Sequence, residues 1–167
     1  PPRSTLFPYT TLFRSGGSTG KPVEAYEGPG ALADAEAAAR FLLDPGRGCP
    51  VDRARLVFVG ASNGTTAVLD YAAARSPDLP EPAANVLLSP GTYTENQHAL
   101  RSTWNAEDPL LWLYPTTEPW AEGFREGAPE RWVFVQRGTE HGTRMFNGRE
   151  LEQQTVEEVR GFLRRWL

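Results

Sequence analysis

The spacing of apolar positions changes several times along the chain, and each change predicts an element. From Ala31 to Leu43 the pattern is helical and rich in alanine, with Leu32, Ala35, Ala39 and Leu42 on one face. Asp44-Pro45-Gly46 stops it. A turn-rich stretch runs to Asp52, and then Arg55 to Val59 forms a short β-branched and aromatic run bounded by Gly60. Such a run suits a strand buried on both faces. A second helix is expected from Asn63 or Gly64 to Ala74, ended by Ser76-Pro77. Asn85 to Leu88 is the next apolar run, broken by Ser89-Pro90-Gly91. The polar stretch from Thr92 to Asp108 fits neither period. Leu110 to Tyr114 is a third strand, stopped at Pro115, and Pro119 to Glu126 reads as a short helix. Trp132 to Val135 is the last strand. The final helix runs from Glu150 to Leu167, with Leu151, Val156, Val159, Phe162, Leu163 and Trp166 turned toward the core.

Strands that alternate with helices call for crossover connections, which are right-handed and build a parallel sheet. The expected class is therefore α/β, with a parallel sheet covered by helices on both faces. Four strands can bury a real core, yet they read as part of a larger sheet. No internal repeat is present.

Composition narrows the function classes. The chain has 167 residues, room for one domain, and its 40% hydrophobic and 23% charged residues are the balance of a globular protein. A formal net charge of −4 gives no electrostatic reason to expect nucleic acid. The one basic cluster, Arg160 with Arg164 and Arg165, has the spacing and place to complement a helix C-terminus. Cys49 is the only cysteine, so no intrachain disulfide can form; it lies in Gly48-Cys49-Pro50, away from any histidine, and reads as a bystander. A lone thiol suits a reducing compartment, and the cytoplasm is the expected location. No apolar run approaches the roughly 20 residues that span a bilayer, and no signal-peptide pattern opens the chain.

The sharpest chemical signal is Gly60-Ala61-Ser62-Asn63-Gly64. It fits the G-x-S-x-G nucleophile elbow, and it follows an expected strand and opens an expected helix, the context that motif requires. The bland alternative is a glycine-rich turn between strand and helix. A dinucleotide-binding opening of the short-chain dehydrogenase kind is a rival for Val59 to Gly64. It needs a third glycine where Thr66 stands and a Tyr-x-x-x-Lys pair where Tyr71 is followed by Arg75, and fails at both.

A serine hydroxyl is a weak nucleophile until a base takes its proton. The chain offers two histidines. His141, in Gly138-Thr139-Glu140-His141-Gly142-Thr143, follows the last strand and precedes the final helix; His98 lies in the unassigned stretch. His141 is the expected base. A carboxylate is needed to orient the imidazole, in the chain order serine, acid, histidine. Glu118 stands just past the strand Leu110–Tyr114, on the expected edge, and is the first choice against the ordinary role of a solvated loop charge. Asp108 precedes that strand and falls at the opposite edge. Glu95, after the preceding strand, is the runner-up.

Two segments near the start need separate treatment. Gly16-Gly17-Ser18-Thr19-Gly20-Lys21 looks like a phosphate-binding loop, but that motif requires Gly and Ser or Thr where Ser15 and Pro22 stand. Residues 16–29 read instead as a linker. Thr5 to Ser15, Thr-Leu-Phe-Pro-Tyr-Thr-Thr-Leu-Phe-Arg-Ser, resembles the translation of a common short-read sequencing adapter over its whole length. The resemblance implies that residues 1–15 were never selected as protein and belong outside any fold argument. An upstream part of the natural protein is then expected to be missing.

From Ala31 to Leu167 the chain resembles the C-terminal half of a bacterial α/β-hydrolase, nearest to dienelactone-hydrolase and acyl-peptidase-like relatives. The motifs that carry this are Gly-Ala-Ser-Asn-Gly, Leu-Ser-Pro-Gly at Leu88 to Gly91, the loop holding Glu118, and His141-Gly142-Thr143. The resemblance implies a serine hydrolase acting on a small-molecule ester or amide, with Ser62, Glu118 and His141 as a triad and the Asn63 backbone N–H as one oxyanion donor. It implies no metal and no organic cofactor. A second oxyanion donor comes, in such relatives, from a loop after an earlier strand, and no His-Gly-Gly-Gly type loop is present here. Tyr93, Trp104, Trp112 and Trp120 are candidates to line an apolar acyl pocket, against the commoner role of core aromatics. The competing expectation is a non-catalytic or truncated domain with an intact elbow and an incomplete oxyanion hole.

Overall fold

The computed structural model describes residues 30–47, 51–91 and 107–167. Cys49, Tyr93, Glu95, His98 and Trp104, with the linker and the adapter-like segment, lie outside the described residues, as does the side chain of Trp120.

The elements run α1 (Gly30–Leu43), β1 (Val57–Ala61), α2 (Gly64–Ala74), β2 (Ala84–Leu88), β3 (Leu110–Tyr114), β4 (Trp132–Gln136) and α3 (Arg149–Trp166). The four strands form one sheet in the order β1-β2-β3-β4, every pair parallel. The chain is therefore an α/β protein with a four-stranded parallel sheet. Parallelism puts the C-terminal ends of all four strands on one edge, and that edge collects the candidate chemistry.

Side chains alternate across the sheet as the period of two requires. Leu87, Leu110, Trp112 and Tyr114 pack on one face with Val68 and Leu69 of α2. Ala84, Val86, Leu88, Leu111 and Leu113 pack on the other with Met145 and with Phe162 of α3. Every residue of β2 and β3 is buried. Each large apolar side chain removed from water in this way contributes about 1.5–3 kcal/mol. Trp112 belongs to this core, stacked at 5.1 Å on Phe134, so it lines no acyl pocket.

Several boundaries differ from the sequence pattern for local reasons. The first strand begins at Val57, two residues late, because the Asp52 carboxylate accepts from the Ala54 amide at 2.9 Å and winds Arg53–Arg55 into a 3-10 turn. The expected helix after Pro119 is a 3-10 turn, Pro119–Phe124. A further 3-10 turn that the pattern did not reveal, Gly142–Phe146, leads into α3. In α1 Ala35 and Ala39 are buried as expected, with Ala31 beside them and Leu32 packed against the same cluster, but at the last turn Leu43 packs inward while Leu42 is exposed. In α3 the fully buried position is Thr155 rather than Val156: its hydroxyl donates to the Met145 carbonyl at 3.1 Å, tying α3 to the turn before it.

An aromatic and polar seam joins β1, α2 and the segment after α2, and α1 reaches it through Glu36. Phe58 and Tyr71 rings lie 4.3 Å apart, the Tyr71 hydroxyl donates to the Pro80 carbonyl at 3.0 Å, and the Glu36 carboxylate accepts from both the amide and the hydroxyl of Ser76. At the far end, the Arg131 and Arg165 guanidinium groups stand 5.1 and 5.0 Å from the Trp166 ring.

Among the described residues β1 pairs only with β2, and no strand pairs with its other side. Val59 shows the consequence: it shares the α3 face with Val57 and Ala61, yet it is 43% exposed. No helix of the described residues is long and apolar enough to cross a membrane.

Tyr114 ends β3 wholly buried, with its hydroxyl donating to the Glu122 carboxylate. Burial first, and that hydrogen bond second, push its phenol from the ordinary 10 up to about 12. The folded chain thus holds this proton more tightly than the unfolded chain. The stability this provides is intact below pH ~10 and is lost as pH rises through about 12. Chemical denaturation at pH 9 and pH 11.5 should show a lower midpoint at the higher pH, and Tyr114→Phe should flatten part of that slope. An equal slope in the variant would contradict the assignment.

Candidate active site

Ser62 sits where β1 turns into α2. Its φ is +52°, in the left-handed region that L residues avoid, and Asn63 is already helical at φ −53° and ψ −28°. The elbow is over-determined by hydrogen bonds. The Ser62 amide donates to the Leu88 carbonyl at 2.9 Å, continuing the β1–β2 ladder. The Ser62 carbonyl accepts from the Thr65 amide at 2.9 Å and the Thr65 hydroxyl at 2.7 Å. The Asn63 carbonyl accepts from the amide and hydroxyl of Thr66. Both threonines are fully buried. A strained residue persists only when its surroundings hold it there, and such strain clusters at functional sites.

Gly60 is required by the close approach of the helix. A Cβ there would fall 2.6 Å from the Gly64 carbonyl oxygen and 2.8 Å from Thr65 Cα, both backbone atoms. With the Ser62 amide committed to β2, the next backbone donor is Asn63, whose N–H meets no acceptor among the described residues. It opens α2, where the helix dipole is positive.

The histidine and the acid arrive from the other two strand ends. Glu118 follows β3 and His141 follows β4, and His141 Nδ1 is hydrogen-bonded to Glu118 Oε1. The Glu118 side chain is 12% exposed and the His141 side chain 46%, so the carboxylate is sheltered and the imidazole open to solvent. Their loops are laced together: Thr116 donates to the Gly138 carbonyl from its amide at 2.9 Å and its hydroxyl at 3.0 Å, and the Thr117 hydroxyl reaches the Thr139 carbonyl at 3.3 Å.

The histidine loop rests on the elbow through Gly142. This residue is buried, has φ +58°, and a Cβ on it would lie 3.6 Å from Ser62 Cβ and 3.8 Å from the Ser62 amide. Among the described residues no hydrogen bond joins Ser62 to His141. The structure thus pairs Glu118 with His141 directly and brings Ser62 beside the residue that follows His141. Asp108 lies before β3, at the opposite edge of the sheet.

No protein-family model, curated protein or solved structure matches this chain. A fold of this class hosts many chemistries, so function is read from the residues of the site. No group of three or more histidine, cysteine, aspartate or glutamate side chains that could hold a metal occurs among the described residues.

Sequence reasoning missed three supports of this site: the Thr65–Thr66 pair, the Thr116–Thr117 lacing, and Ser89, which accepts from the Gly142 amide at 2.9 Å. Hydroxyl residues directly after the elbow and after β3 were the available signal. Their partners lie across loops whose path the sequence does not disclose.

Proposed function

We propose that this chain is the C-terminal part of an α/β-hydrolase domain, a serine hydrolase that cleaves a carboxylic ester or, less readily, an amide. The observation that carries the reading is a serine held at positive φ on a strand-to-helix elbow, on the same sheet edge as a hydrogen-bonded histidine–glutamate pair. In the proposed cycle, Ser62 Oγ attacks the substrate carbonyl and His141 Nε2 takes the hydroxyl proton. Glu118 holds Nδ1 and offsets the charge of the imidazolium. The Asn63 N–H donates to the oxyanion. His141 then protonates the leaving alcohol or amine, and the acyl-enzyme is cleared by a water that His141 deprotonates. Unliganded sites often hold the nucleophile and base beyond hydrogen-bond reach until substrate binds, which accommodates the Ser62–His141 geometry.

A second reading is favoured by the outer side of β1, which no strand among the described residues pairs with, and by Val59 at 43% exposure. It holds that the chain is a truncated or non-catalytic domain of the same fold, with one oxyanion donor instead of two. Hydrolysis of p-nitrophenyl acetate and butyrate by the whole chain separates them. Saturable release of p-nitrophenol above the buffer rate supports the hydrolase; a rate equal to buffer supports the second reading.

Glu118→Gln tests the acid. It keeps the shape but removes the charge and allows the amide to present a donor to Nδ1, which selects the wrong tautomer. The expected result is a fall in kcat of about 10²–10⁴-fold with KM little changed, while Glu95→Gln keeps wild-type kcat. The reverse pattern would transfer the role to Glu95.

A further inference from the structure

We infer that Ser89 is the positioning residue that clamps the histidine loop onto the nucleophile elbow, an inference whose catalytic consequence rests on the hydrolase reading. Ser89 closes β2, fully buried, with its amide donating to the Leu113 carbonyl at 2.8 Å. Its φ is +51°, so a non-glycine residue occupies a conformation that glycine adopts without strain. What serine adds there is the hydroxyl, and that hydroxyl accepts from the Gly142 amide at 2.9 Å across 53 residues of chain.

The two consecutive residues at the end of β2 thus hold both halves of the proposed machinery. Leu88 fixes the nucleophile through its carbonyl, which accepts from the Ser62 amide at 2.9 Å. Ser89 fixes the base through the amide of Gly142, the residue that follows His141 and lies against Ser62 Cβ. Glu118 orients the imidazole ring from the side, and the threonine lacing holds the loop stem at Gly138 and Thr139. Ser89 is the contact nearest the histidine that pins the loop backbone down toward the serine.

The test compares Ser89→Ala, which keeps the strained Cβ, with Ser89→Gly, which relieves it. A purely structural turn would tolerate glycine or improve with it. Two readouts are taken: p-nitrophenyl butyrate kinetics, and hydrogen exchange of the Gly142 amide by NMR. The expected result is that both variants lose about 10–100-fold in kcat with KM within about twofold, because a shift of order 1 Å in a catalytic group costs that much. The Gly142 amide should exchange at least ~10-fold faster in both variants. Wild-type kcat in Ser89→Gly, or unchanged Gly142 exchange, overturns the inference. If the wild-type chain itself turns over no ester, the hydrolase reading fails on its own, and Gly142 exchange alone decides whether Ser89 holds the loop.

Discussion

Ser62→Ala is expected to reduce ester turnover to the buffer rate, a loss of about 10³-fold or more in kcat, while leaving the fold intact. Alanine keeps the Cβ and therefore the left-handed strain at φ +52°, and none of the elbow's backbone hydrogen bonds uses the hydroxyl. Its melting temperature should match wild type within a degree or two. Ser62→Gly makes the same chemical deletion and also relieves the strain, which is worth about 1 kcal/mol. It should be as inactive as the alanine variant and somewhat more stable. A strained residue whose removal stabilises the fold and abolishes activity is the signature of a functional compromise. Turnover and thermal melts on the two variants check both halves, and turnover persisting in either variant would remove Ser62 from the mechanism.

The second large effect is structural. Gly60→Ala places a Cβ 2.6 Å from the Gly64 carbonyl oxygen and 2.8 Å from Thr65 Cα. Neither atom is a side-chain end that can swing away, and both belong to a first helical turn whose threonines are fully buried. The start of α2 must shift or β1 must leave the ladder. Overpacking against fixed atoms costs about 1–3 kcal/mol and more where backbone must move, so a loss of about 3 kcal/mol and roughly 10 °C in Tm is expected. Activity should fall with it, since Ser62 rides on the same turn. Gly161→Ala is the matched control. In the exposed middle of α3 its Cβ meets nothing within 4 Å. Alanine there should stabilise by about 0.5–1 kcal/mol through helix propensity. Equal melting temperatures for the two variants would contradict the packing described at the elbow.

Much of this architecture was legible because the two central strands, β2 and β3, are buried on both faces. Leu110–Tyr114 is continuously apolar and bounded by Pro109 and Pro115, so its limits could be read residue by residue, and Gly64–Ala74 was bracketed by the elbow and Ser76-Pro77. The elbow could be read because its glycine spacing reflects a steric demand, now visible at Gly60. The pairing of Glu118 with His141 followed from chain order and strand ends. What could not be read depends on contacts distant in sequence. Whether Leu42 or Leu43 packs inward is decided by where α2 lies, and Thr155 displaces Val156 because a carbonyl of the preceding 3-10 turn waits for its hydroxyl. The role of Ser89 depends on a loop 53 residues away, and nothing in Leu-Ser-Pro-Gly announces that partner.

Covalent labelling tests Ser62 as the nucleophile most directly. The 167-residue chain is incubated with a fluorophosphonate near neutral pH, and the product is read by intact mass and peptide mapping. One adduct is expected, on Ser62, absent in Ser62→Ala and formed at least ~100-fold more slowly in His141→Ala, which lacks the base. No adduct, an adduct elsewhere, or equal labelling without His141 would contradict that role.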